Sequence, residues 1–398
     1  MKITGLETLR LDEFPNLVWV RVHTDGALAG VGETSFAAAS VEAYLHEFVA
    51  PRVLGRDPLE IERLARGLCG YLGFRGSGVE TRAISAFDIA LWDLYGKVCG
   101  QPLYQVLGGA SREVIRTYNT CAGYRYIRDA RQQSSANWGL EGQGGPYEDL
   151  EAFLHRPDEL AQSLLEQGID AMKIWPFDTY AEQTEGLHIS KENLERALEP
   201  FRRIRKAVGS RMDIMVEFHS LWRLPAAQRI ARALAEFDTY WHEDPIRMDS
   251  LALLRQYAEA SRAPVCASEI LAGRWGFKDL LETNAVGFVM FDLAWCGGIS
   301  EARRIAALAD AWQLPVAPHD CTGPLVFLAS LHFSIHAPNA LVQESVRAFY
   351  TGWYRELVTH VPQPVNGVFA KPPGPGLGAE LLPGLWKRKD ATVRLSRA

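Results

Sequence analysis

Beyond about residue 115 the chain alternates short, nearly continuous apolar runs with stretches in which apolar residues recur at helical spacing. That alternation marks βα units feeding a parallel sheet, whose strands are covered on both faces and need no polar side. The runs close at "AMKIW" (171–175), "IMVEF" (214–218), "TYWHED" (239–244), "VCASE" (265–269), "GFVMFD" (287–292), "PVAPH" (315–319) and "ALVQE" (340–344). Helical stretches such as "LERALEPFRRIRKAVG" separate them. With an earlier strand near "VIRTYNT" they make eight, enough to close a barrel whose active site lies at the C-terminal strand ends.

The first 115 residues have another texture. "NLVWVRVHTDG" and "LAGVGET" predict a hairpin around Asp25-Gly26, and "ISAFDIALWDLYGKVCG" predicts a helix over 84–100, stopped by Lys97 and Gly100. Three parts follow: an α+β unit over 1–115, a barrel over 116–358 and a Pro- and Gly-rich segment over 359–398 that folds back on the N-terminal unit.

Polar residues interrupt the apolar runs only at their ends: Lys173, Glu217, Glu243, Glu269, Asp292, His319 and Glu344. From Glu217 to Glu243 is 26 residues, and from Glu243 to Glu269 again 26, so three successive strands each deliver one carboxylate at a common level. Three converging carboxylates repel one another unless a cation sits among them, and an all-oxygen ligand set suits Mg²⁺. In "VEFH" an extended backbone points residues i and i+2 to one face, which sets His219 beside Glu217.

Charge and composition narrow the chemistry. A net charge of -6 and a pI near 6.0, with both signs interspersed, give no footprint for nucleic acid or an anionic membrane surface. The opening "MKITGLETLR" lacks the apolar core of an export signal and no window approaches a membrane span, so a cytoplasmic protein is expected. Six cysteines without a CxxC pair fit reduced thiols and argue against a zinc cluster.

Taken together, "ISAFDIALWDLYGKVCGQPLYQVLGG", "AMKIW", "VEFH", "HEDPI", "ASEI", "FDLAWCGGISEARRIA", "VAPHDCTGPL" and "VQES" resemble the enolase superfamily. Within it the chain is most similar to the mandelate racemase subgroup and to acid-sugar dehydratases such as galactonate dehydratase. The resemblance spans nearly the whole chain. It implies a modified (β/α)7β barrel under an α+β capping domain that the C-terminal tail completes, and one Mg²⁺ held by Glu217, Glu243 and Glu269. It also implies His319 as the base, fixed in tautomer by Asp292, and Glu344 as a group that orients or donates to the substrate carboxylate. Lys173 matches the first lysine of the racemases' Lys-x-Lys, but Trp175 stands where their second base would be. Two-base racemisation is therefore disfavoured, and His219, where galactonate-type dehydratases have a similar Asp-x-His, becomes the acid for a departing β-hydroxyl.

The expected activity is Mg²⁺-dependent dehydration of an aldonate or aldarate to a 2-keto-3-deoxy acid. The alternatives are a cycloisomerase or epimerase of a sugar acid or lactone, and a non-catalytic sugar-acid-binding barrel. A small-molecule sugar acid is the expected partner, and a homo-oligomer the expected assembly. For substrate binding the candidates are Arg75 and Thr34, in "GFRGSG" and "GETSF" where family loops close over the site, and Trp175 and Trp295 at strand ends. Asp244 is read as supporting a ligand, His242 as facing away from the barrel, and the Gly-rich insertion over 134–151 as either a lid or a solvated loop.

Overall fold

The structure is a computed structural model that describes residues 1–70, 73–128, 134–140, 145 and 147–398. Three antiparallel strands open the chain: β1 (Ile3–Leu11), β2 (Leu17–Thr24) and β3 (Ala29–Ser35). The helix Val79–Cys99 packs across β3 and ends where Gly100 takes a left-handed conformation and its N–H bonds back to Lys97 O. A side chain is disfavoured in that backbone region, which is why the stop is a glycine.

Eight parallel strands follow: β4 (Val114–Thr120), β5 (Ala171–Ile174), β6 (Asp213–Glu217), β7 (Trp241–Glu243), β8 (Val265–Ala267), β9 (Val286–Asp292), β10 (Val316–His319) and β11 (Gln343–Ser345). They pair in the order β10-β9-β8-β7-β6-β5-β4-β11, and Leu341 N donating to Val316 O at 2.8 Å draws β10 and β11 together to close the barrel. In the tail, β12 (Val368–Ala370) pairs antiparallel with the start of β4, while β13 (Ala391–Arg397) pairs with β1. The C-terminal segment thus touches the barrel as well as the N-terminal sheet. No helix among the described residues is long and apolar enough to cross a membrane.

The barrel interior is plugged by one side chain per strand: Tyr118, Ala171, Met215, Trp241, Cys266, Met290, Ala317 and Val342, the last just ahead of β11. Strand side chains repeat their direction every second residue. Two positions further on, the sequence gives Thr120, Lys173, Glu217, Glu243, Ser268, Asp292, His319 and Glu344. The polar ladder is therefore the next interior layer above an apolar plug, which holds it at the C-terminal mouth.

Candidate active site

Register brings the ladder residues together in pairs. Glu217 of β6 stands opposite Glu243 of β7, and Asp292 of β9 opposite His319 of β10. Glu269 departs from the every-second-residue rule, lying two residues past β8 in the following loop. One carboxylate oxygen from each of Glu217, Glu243 and Glu269 lies within 4.8 Å of the other two, and all three side chains are buried. Glu217 Oε1 accepts from the N–H groups of Phe218 (3.0 Å) and His219 (2.7 Å), whereas its buried Oε2 makes no such hydrogen bond among the described residues and has the Lys173 ammonium 3.3 Å away. Three buried acids whose oxygens converge within 4.8 Å of one another fit a hard divalent cation. This chain places Glu217 where the resemblance commonly has Asp, and the triad still converges.

Lys173 supplies the balancing charge within the protein. Its Nζ lies 2.5 Å from Glu243, 2.9 Å from Glu344 and 3.3 Å from Glu217. Burial alone would discharge this ammonium, but Glu243 and Glu344 hold its proton well above the usual lysine range. Burial, with the charge of Glu217, pushes the Glu243 carboxyl well up too, against the pull of the Lys173 ammonium beside it. Glu344 also accepts hydrogen bonds from the Thr120 hydroxyl and, at 2.8 Å, from Asp320 N.

Two imidazoles flank the triad, each held through Nδ1 by its own carboxylate. His319 Nδ1 is 2.8 Å from Asp292, and its Nε2 is 2.8 Å from Glu269. On the other side His219, at the end of a sharp turn with φ 47, sets Nδ1 2.6 Å from Asp178. Burial opposes a charge on His219, but Asp178 and Glu217 outweigh it and hold the ring protonated up to about 9. Asp178, at the start of the helix Asp178–Thr184, was not singled out from the sequence. Its only signal there is its nearness to Trp175 in the loop after β5.

The cavity above these groups is lined by Thr120, Lys173, Trp175, Trp295, Tyr126 and Cys321 in addition to the acids and histidines. Trp175 meets the His219 ring edge-on at 5.8 Å, and Trp295 lies 5.3 Å from the His319 ring. Thr34 lies outside this lining: it is buried and its hydroxyl donates to Ala294 O at 2.9 Å, tying β3 to the loop that carries Trp295. Arg75 stands apart. Its side chain is 88% exposed and pairs with Asp279 at 3.8 Å. The cap's cation near the site is instead Arg82, stacked 4.4 Å over Trp295 and donating to Ser35 O at 2.6 Å. Asp244 accepts from Ser268, and His242 faces outward to Thr239 and Tyr257, where burial lowers its pKa to about 3. Of the 134–151 insertion, residues 141–144 and 146 lie outside the described residues.

Residues 157–384 match the enolase C-terminal domain-like family, and residues 12–108 match the mandelate racemase / muconate lactonizing enzyme N-terminal domain. The chain belongs to the mandelate racemase / muconate lactonizing enzyme family. It is accordingly an enzyme of the enolase superfamily. A crystallised enolase of the mandelate racemase subgroup from Agrobacterium tumefaciens is 56% identical, with TM-score 0.88 and coverage of 100% of this chain and 99% of that one. Among curated relatives, a D-galactonate dehydratase family member from Streptomyces bingchenggensis is 30% identical over 95% of this chain and 91% of its own length. A D-xylonate dehydratase from Haloferax volcanii is likewise 30% identical, over 96% of this chain and 87% of its own length.

Proposed function

We propose that this family member is a Mg²⁺-dependent dehydratase of a sugar acid, with His319 as base and His219 as acid. The observation that carries the reading is the pair of imidazoles on opposite sides of one carboxylate triad, each oriented by a separate acid. Relatives named as sugar-acid dehydratases support the reaction type, as does the absence of a second lysine after Lys173-Ile174.

Glu217, Glu243 and Glu269 would hold the cation, which when bound offsets the negative charge that builds on the substrate carboxylate. Glu269, as one of these holding residues, would leave His319 Nε2, which lies 2.8 Å from it, to take the α-proton. Asp292 at Nδ1 keeps the ring in the tautomer that presents Nε2 as acceptor. His219, kept charged by Asp178, gives its Nε2 proton to the β-hydroxyl, which departs as water. The enol that remains takes up a proton at the β-carbon and becomes a 2-keto-3-deoxy acid. Lys173 and Glu344, joined to each other at 2.9 Å, face the carboxylate end.

The test is NMR in deuterated water with an acid that the enzyme turns over. His319→Asn is expected to abolish both α-proton exchange and dehydration. His219→Asn is expected to block dehydration, by about 10²-fold or more, while exchange continues. Exchange surviving in the His319 variant, or dehydration at the normal rate in the His219 variant, would refute the assignment. A product that gives no semicarbazone would refute dehydration itself in favour of isomerisation.

A further inference from the structure

Past His219 the cavity continues into a chamber of about 130 Å³ lined by Ser134, Trp138, Asp178, Glu182, His219 and Ile270. Its polar atoms are available to a ligand. Asp178 Oδ2 accepts from His219, but among the described residues its buried Oδ1 has no partner, and neither does the buried Ser134 hydroxyl. Trp175 Nε1, buried and also without a partner among the described residues, lies on the inner cavity that leads into the chamber. Glu182 is held at the rim by Ser135, whose N–H donates to it at 2.7 Å.

A donor (the indole), acceptors (the carboxylates) and a hydroxyl that does both form a set that alcohol groups satisfy, because each alcohol gives one hydrogen bond and takes others. A carboxylate can only accept, and here it would face Glu182, with Asp178 already paired to His219 and Glu269 committed to the triad. Among the described residues lining the chamber there is no lysine or arginine, and the charge of the His219 imidazolium is already paired with Asp178. Resting on the dehydratase reading above, we propose that this chamber is the subsite for an uncharged, hydroxylated tail, which makes the substrate an aldonate rather than an aldarate.

The experiment compares stereochemically matched aldonates and aldarates on the Mg²⁺-loaded enzyme, with Glu182→Gln and Glu182→Lys alongside. The native enzyme is expected to favour aldonates in kcat/KM. Both variants are expected to move the aldonate-to-aldarate ratio toward the aldarate, the lysine variant by about tenfold, since like charges across a contact are strongly disfavoured. Binding read by quenching of tryptophan fluorescence, with Trp138 and Trp175 beside the ligand, requires no turnover. Tighter aldonate binding without turnover would keep the subsite and overturn the dehydratase reading. Preference for aldarates in either measurement, or a ratio that neither variant moves, overturns the subsite.

Discussion

At the scale of single residues, what separates the two histidines is the carboxylate behind each. Asp292 sits one strand from His319 in register, whereas Asp178 reaches His219 from the first turn of the helix that follows the neighbouring strand β5. A neutral amide in place of Asp178 would still accept a hydrogen bond but would no longer favour the imidazolium. Asp178→Asn is therefore expected to slow dehydration about 10- to 100-fold, the usual cost of losing an orienting partner, with α-proton exchange largely kept. Equal loss of both, measured by product formation and deuterium incorporation in one sample, would mean that Asp178 supports the fold and not the acid. The Asp292–His319 pair was legible because consecutive strand ends are neighbours in a parallel barrel. Asp178 was not, because the side chain at the start of a short helix after a strand takes its direction from how that helix packs on the barrel.

At the scale of elements, the cap is docked through helix N-termini of the barrel. Asp88 of the cap helix accepts from Ser300 N (2.9 Å) and Ser300 Oγ (2.6 Å) at the start of the helix Gly298–Ala311. Glu33 of β3 accepts from Val326 N at 3.1 Å, within the first turn of the helix Pro324–His336. Burial raises both carboxyls, Asp88 to about 7 and Glu33 to about 8, even though helix N-termini and hydrogen bonds favour the charged forms. Gly298 makes the approach of Asp88 possible: its φ is +81, and a Cβ there would lie 2.4 Å from Asp88 Oδ2. Gly298→Ala combines a disfavoured backbone with a clash, so a loss of roughly 1–3 kcal/mol is expected. Urea unfolding would show it as a lower midpoint, and an unchanged midpoint would mean that the docking is looser than the contacts indicate.

At the scale of the whole molecule, two measurements report on how the parts are held together. If the triad binds Mg²⁺ only when folded, adding the cation should raise Tm, and raise it further with the logarithm of its concentration once the site is filled, by linkage. Glu243→Gln should remove most of that rise, and an equal rise in the variant would place the binding elsewhere. The second measurement is pH-dependent. His332, on the barrel helix Pro324–His336, accepts from Tyr104 N at 3.3 Å and faces Leu377 O of the tail at 3.2 Å. Burial lowers its pKa from 6.5 to about 4. Between those values the unfolded chain binds a proton that the folded chain refuses, so this group's contribution is intact above pH 6.5 and lost as pH falls toward 4. His332→Gln should therefore flatten the stability profile over that window relative to the native chain. Parallel profiles would show that His332 does not set the acid response.

What the sequence determined by itself is whatever repeats along the chain. The apolar runs and their polar ends specified a parallel barrel, because a strand's inward side chains recur every second residue and the plug layer fixes which of them reach the mouth. Lys173, Glu217, Glu243, Asp292, His319 and Glu344 are all such positions, and the equal spacing extended the series to Glu269. The hairpin at Asp25-Gly26 and the helix stop at Gly100 were also local, carried by turn and capping chemistry. Only the tertiary structure decided which loop and cap residues meet the cavity. It turned Arg75 into solvent, spent Thr34 on Ala294, and brought Asp178 to His219 and Arg82 to Trp295. Those contacts join segments whose separation along the chain carries no period, so their partners are chosen by how the cap and loops pack on the finished barrel.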